Sequence, residues 1–424
     1  MGTTRAPAVR RAAATATRGR RLLVVLGLVL ALTAGCNGEP AAGPATSAPS
    51  ETTPASTPPP ATSPTATATP APSATPTPSP TPADCVSRTV AAMTTRQKAA
   101  QLVMTGIRAG GMTSSQRRAL AGQHPGGILL LGSSGDAGAV RDVIAAAVAK
   151  AGRPNGVAPF VAADQEGGKV QRLQGDGFDR IPSAATQSTW SDAKLTDRAA
   201  RWGRQLAAVG VNLDLAPVAD VVPASVGDAN QPIGALDRGY GDDPAEVGRH
   251  VSAFIRGMHA GGVATSVKHF PGLGRVRGNT DYSSGVVDGT TTRDDPLLGS
   301  FRAGIGAGTD LVMVATATYT RIDPDHRAVF SRTVIGGMLR GDLSFGGVVI
   351  SDDLGAAAEV QAVSPGRRAT RFVGAGGDIV ITADASLTAV MVDALVARAP
   401  QLDLDRHVRR VLALKQQRGL MSCH

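Results

Sequence analysis

Aromatic residues are scarce in this chain: Phe, Trp and Tyr make up 3% of its 424 residues. That scarcity argues against a stacking platform for single-stranded nucleic acid, which needs successive aromatic faces. The formal net charge is +9, but part of it sits in the Arg-rich first 21 residues, and no basic stripe follows. No nucleic-acid partner is expected. Only three cysteines are present, and no Cys/His spacing suits a metal ion. Gly-rich phosphate loops of the Walker or dinucleotide type are missing. Neither a metal nor a cofactor is therefore expected. A long hydrophobic run is also lacking. The most apolar stretch, 22–35, is too short for a comfortable membrane span.

What is present changes along the chain. A basic start, a short apolar core and small residues before a break read as a signal peptide over 1–35. Thr33-Ala34-Gly35-Cys36 resembles a bacterial lipobox, with Thr33 where a Leu is usual and Leu32 one step earlier. The resemblance implies lipid on Cys36, a membrane partner through that anchor, and a place on the outer face of the cell membrane. An ordinary signal peptide or an uncleaved anchor is the alternative. Residues 36–83 carry this Cys and then Pro, Thr, Ser and Ala, a composition that cannot bury enough surface to offset chain entropy. They read as an extended, disordered linker. Folding is expected to begin near Asp84, in a domain spanning 84–424. Cys85 and Cys423 stand at its two ends, in a compartment where disulfides persist. A closed barrel brings its termini together, so the two are expected to form a bridge; two free thiols are the alternative.

From Asp84 onward one pattern repeats: an apolar, β-branched run, polar residues, then a helical stretch. The runs are 101–105, 127–132, 159–163, 211–216, 263–267, 310–315, 347–351 and 378–382. Amphipathic, Ala-rich segments such as 192–209, 244–260 and 387–398 lie between them. Near-continuous apolar strands imply burial on both faces, hence a parallel sheet covered by helices. Eight units with no strand left over predict an α/β fold, a single (β/α)8 barrel of the TIM type. The chain is expected to act as a monomer.

In such a barrel catalytic groups lie at the C-terminal ends of strands. Asp164-Gln165-Glu166 follows the third run, and Pro217 with Asp220 follows the fourth. Lys268-His269 follows the fifth, Thr316 and Thr318 the sixth, Asp352-Asp353 the seventh and Asp384 the eighth. Carboxylates without metal-ligand clusters suggest acid/base or nucleophilic carboxylate chemistry, of which glycoside hydrolysis is the prominent case. Asp, Lys, His and Arg on one rim also suit a hydroxyl-rich sugar. Aldolases, with Lys268 as a Schiff-base lysine, and phosphate-binding barrels stay open on the residues alone.

Three ordered motifs narrow this. Asp164-Gln165-Glu166-Gly167-Gly168-Lys169-Val170-Gln171-Arg172, Lys268-His269-Phe270-Pro271-Gly272 and Ser351-Asp352-Asp353-Leu354 resemble glycoside hydrolase family 3, specifically the bacterial β-N-acetylglucosaminidases of peptidoglycan recycling. The resemblance runs from about Met93 to Leu420. It implies a retaining mechanism with a covalent glycosyl intermediate on Asp352, β-linked N-acetylglucosaminides as substrate, and Asp353 as support for the loop. It also implies that Asp164, Arg172, Lys268 and His269 bind the sugar and that Arg238 lines the pocket.

One loop departs from the family pattern. Many such enzymes carry Asp-Ser-His after Lys-His-Phe-Pro-Gly, and that Asp–His pair is the acid/base. Here Asp281 stands at the Asp, Ser283 at the His, and Leu273 replaces a further histidine. Serine cannot titrate where histidine does. Three readings are open. Asp281 itself, on a mobile loop, is the proton donor and joins Asp352 as catalytic. A histidine such as His326 enters from another loop. Or the site transfers sugar to phosphate, helped by Arg275 and Arg277, or only binds sugar.

Overall fold

The computed structural model describes Gly2 and residues 82–422. Cys36, with the leader and linker, and Cys423 lie outside the described residues. Each apolar run becomes a strand, and the eight close into one parallel barrel. They are β1 (Val103–Arg108), β2 (Gly127–Leu131), β3 (Phe160–Ala163), β4 (Leu213–Asp214), β5 (Ala264–Phe270), β6 (Leu311–Val314), β7 (Val348–Asp353) and β8 (Ile379–Thr382). Neighbours in sequence are neighbours in the barrel. Met104 of β1 sits opposite Gly127 of β2 on one side and Ile381 of β8 on the other, which closes the ring.

A helix follows every strand, as the alternation of apolar runs and amphipathic segments requires. The last two are Pro365–Ala375 and Thr388–Ala397, and the segment after β6, Thr333–Asp342, is π-helical. Local chemistry sets the ends. Asp243 caps Pro244–Ala260 by accepting from Ala245 and Glu246, with Pro at the first helical position. Ser191 caps Asp192–Ala208. These two helices pack closely because Gly257 has no side chain: a Cβ there would meet Thr196 O at 2.4 Å.

The strands are largely buried on both faces, and all seven residues of β5 are buried. Phe270 at its end meets Phe301 of the outer helix Gly299–Gly306 edge to face, with centroids 5.4 Å apart. Burying a side chain of this class contributes about 1.5–3 kcal/mol.

Gln101, read as the first residue of the first strand, instead ends the helix Thr95–Gln101. Its side chain faces inward, where Lys415 Nζ donates to its Oε1 at 2.7 Å and to Gly126 O at 2.7 Å. A second tie at this end is Asp378, which joins the helix Leu404–Gln417 to β8 through His407 and Arg410. Cys85, 3% exposed, is disulfide-bonded. Among the described residues no helix is long and apolar enough to cross a membrane.

Candidate active site

The C-terminal strand ends carry the loops that build the site. After β3 the chain turns in a short hairpin, Gln165–Gly167 against Val170–Gln171. Gly167 takes φ +104°, and a Cβ there would meet Pro182 O at 2.2 Å, so the turn needs glycine. After β5 the loop lies flat on the β4 loop: a Cβ on Gly274 would meet Val221 O at 1.7 Å. Asn230 holds the same loop by donating to Leu273 O and Val276 O, both at 2.7 Å.

These loops enclose a cleft of about 690 Å³. Asp164, Arg172, Arg238, Lys268, His269, Asp281 and Asp352 all line it. They come from the loops or ends of β3, β4, β5 and β7, so no two of these elements could bring them together alone.

The floor is an ion network. Lys268 Nζ lies 2.7 Å from Asp164 Oδ1 and 2.6 Å from Glu166 Oε1. Arg238 grips Glu166 with two hydrogen bonds, at 2.8 and 2.7 Å. Burial opposes charge on Glu166, but Arg238 and Lys268 override it and hold that carboxyl well below the usual range. Burial likewise opposes charge on Lys268, yet Asp164 and Glu166 keep its pKa above that of an ordinary lysine. A lysine so held stays protonated, which removes the Schiff-base reading left open by the residues alone. Arg172 stands 4.0 Å from Asp164, and its Nε has no hydrogen-bond partner among the described residues.

His269 is oriented from behind. Its Nδ1 is 2.7 Å from Asp220 Oδ2, while Asp220 Oδ1 accepts the backbone N–H groups of His269 and Leu273. The other ring nitrogen is thereby left for the cleft. Below this layer Asp214 is buried, accepts from Gln165 N–H, and is pushed up to about 8 by burial.

The reacting end carries carboxylates with few partners. Asp352 Oδ1 accepts one hydrogen bond, the N–H of Asp353 at 2.8 Å. Asp353 accepts from Gly355, Ala356 and Ala383, which folds the β7 loop around it. Asp281 has no side-chain hydrogen bond or ion pair among the described residues. Asp281 is solvent-exposed at the cleft mouth, yet the loops around it partly bury its carboxyl. That burial, reinforced by the charge of Asp352, pushes its carboxyl up to about 6. Its backbone makes two hydrogen bonds. Asn279 Oδ1 accepts its N–H at 2.9 Å, and Ala358 N–H donates to its carbonyl at 3.1 Å.

Three candidates fall outside the cleft. His326 pairs with Asp323 at 3.0 Å on the outer flank of the barrel, beside the helix Pro365–Ala375. Arg275 is taken by Asp295 and donates to Thr291, so its charge is spent within the loop. Arg277 does not line the cleft either. Glu166 and Asp220 are the members whose parts sequence reasoning left unassigned. Both stand at strand ends, but their partners lie far away in sequence.

A parallel barrel with two under-partnered carboxylates above a network of fixed cations is the layout of a glycoside-cleaving enzyme. Residues 94–414 match the model of the glycosyl hydrolase family 3 N terminal domain, and the chain belongs to that family. It is a glycoside hydrolase. A beta-hexosaminidase of Stenotrophomonas maltophilia is 35% identical over 271 residues, 61% of this chain and 76% of that protein. A beta-hexosaminidase of Xanthomonas oryzae is 32% identical over 313 residues, 70% of this chain and 88% of that one. Among solved structures, a beta-N-acetylhexosaminidase from Beutenbergia cavernae superposes with TM-score 0.74 at 45% identity, over 76% of this chain and 99% of its own. LpqI of M tuberculosis superposes with TM-score 0.66 at 30% identity, over 77% and 94%.

Proposed function

We propose that the protein is a retaining, exo-acting β-N-acetylglucosaminidase acting on cell-wall fragments, with Asp352 as nucleophile and Asp281 as acid/base. The names of the similar proteins support the hexosaminide class. The choice of cell-wall fragments rests on the likeness of the three rim motifs to peptidoglycan-recycling enzymes. Lipid on Cys36 would hold the enzyme on the outer face of the membrane.

One observation carries the mechanism: Asp281 shares the cleft with Asp352, and its carboxyl is raised by burial and, next to that, by the charge of Asp352. Asp352 attacks the anomeric carbon while the bond to the leaving oxygen breaks, and Asp281 gives that oxygen its proton. The glycosyl ester so formed is neutral. The part of the shift that came from the charge of Asp352 is gone, so the Asp281 pKa falls and it becomes a base. Water then attacks the anomeric carbon, Asp281 takes its proton, and Asp352 leaves as a carboxylate. The electrostatics of one pair thus supply the two protonation states that a histidine usually provides.

The test uses an aryl N-acetyl-β-glucosaminide and a fluorinated N-acetylglucosaminyl fluoride. The expected result is aryl alcohol release, its loss in Asp352→Asn, and a trapped adduct on Asp352. Equal rates in wild type and variant would overturn the assignment. Sugar transfer to phosphate has less support, because Arg275 is engaged by Asp295; rates measured with and without phosphate separate the two.

A further inference from the structure

Tyr282 is the only exposed aromatic side chain among the described residues, at 84% accessibility. It is also the only Phe, Trp or Tyr that lines the catalytic cleft. Aromatics elsewhere are in the core, as Tyr240 and Tyr319 are. A single exposed apolar residue is ordinary on a surface. This one is held where it is by its backbone. Asn279 O accepts the N–H of Tyr282 at 3.1 Å and of Ser283 at 2.8 Å. Glu359 N–H donates to Thr280 O at 3.1 Å, tying the turn to the β7 loop. The side chain itself makes no hydrogen bond, ion pair or ring contact among the described residues.

Its place beside Asp281 gives it a meaning. On the reading above, Asp281 must reach the glycosidic oxygen, the atom that joins the cleaved sugar to the next one. The residue following Asp281 at the cleft mouth therefore stands by the sugar that leaves. An aromatic ring has a negative face, and the C–H bonds on one face of a β-linked pyranose carry partial positive charge. Pro232 and Leu236 line the same cleft and add apolar surface to its wall.

We propose that Tyr282 is the platform of a leaving-group subsite, which takes the flat face of the pyranose attached to the oxygen that Asp281 protonates. The inference rests on the glycosidase reading of the cleft and adds to it what the enzyme recognises beyond the bond it cuts. The turn with Asp281, Tyr282 and Ser283 then has a second part: beside the serine that replaces the histidine it presents a sugar contact.

The test compares two substrates that deliver the same N-acetylglucosaminyl group. One is a β-1,4-linked N-acetylglucosamine disaccharide, whose leaving group fills the subsite. The other is the N-acetyl-β-glucosaminyl fluoride, whose leaving group is one atom. Tyr282→Ala is expected to lower the ratio of disaccharide to fluoride kcat/KM about tenfold, mainly through KM. Tyr282→Trp should keep the ratio, and the pH limb near 6 should stay in place in both variants. A proportionate loss on both substrates, or a moved pH limb, would mean that the residue only shapes the loop and would overturn the proposal. So would an unchanged ratio in Tyr282→Ala. If wild-type protein turns over neither substrate, the glycosidase reading itself has failed, an outcome visible before any variant is made.

Discussion

Asp378 and Asp281 are both aspartates in a barrel, and their surroundings are opposite. Asp378 lies at the N-terminal end of β8 and accepts from His407, Arg410, Arg340 and the Val349 N–H. Burial would raise its pKa, but His407 and the two arginines hold it below the usual value. Asp281 lies at the other end of the barrel with no donor on its carboxyl, and burial with Asp352 raises it to about 6. A carboxylate that joins elements is saturated with donors and cannot change charge. One that moves protons is left short of donors and near the working pH. The barrel keeps the two kinds at separate ends.

Asp352→Asn should break the comparison most sharply. On the proposed mechanism the variant lacks its nucleophile, so activity is expected to drop by about four orders of magnitude while thermal stability holds. Equal Tm values beside the activity loss would confirm that this carboxylate supports no fold contact beyond its turn.

Asp281→Ala comes next, with kcat on the disaccharide reduced about 10²–10⁴-fold. An activated aryl leaving group, which needs little protonation, should lose far less. In wild type the donor must be protonated, so kcat/KM should fall as pH rises through about 6. That limb should vanish in the variant. A limb that persisted would move the acid role to another group.

Asp378→Asn sharpens the other side. It leaves Arg340, His407 and Arg410 facing a neutral amide at a buried site, at a cost of about 3–5 kcal/mol. Calorimetry should show a lowered Tm, with kcat/KM intact in the protein that remains folded.

The smallest effect concerns Asp214, which lies between the two kinds. Its folded pKa of about 8 exceeds the ordinary 3.8, so the folded chain keeps a proton that the unfolded chain has lost. Stability from this group therefore falls as pH rises from about 4 to about 8. Asp214→Asn keeps an acceptor for Gln165 N–H and removes the titration. Its Tm should approach or exceed that of wild type by a few degrees at pH 8 and lose the advantage near pH 5.

Much of this was legible in the residues. Each apolar run lay on its strand because burial on both faces leaves a local mark, and of the charges read at strand ends Asp164, Lys268, His269, Asp352 and Asp353 line the cleft, while Asp384 caps the turn after β8. Strand ends were less legible. Gln101 looks like the start of a strand and ends a helix, since Lys415 claims its side chain. Arg275 and His326 had suitable chemistry, but Asp295 and Asp323 engage them away from the cleft.

The order of strands, the motifs on their rims and the missing histidine at Ser283 were determined by the sequence alone, because each is a matter of residue type and local spacing. Only the tertiary structure decided that Asp281 shares a cleft with Asp352 and has its pKa raised there. A pKa depends on the charges and walls around a carboxyl. For Asp281 these are Asp352 and loops from separate strands, brought together only when the barrel closes.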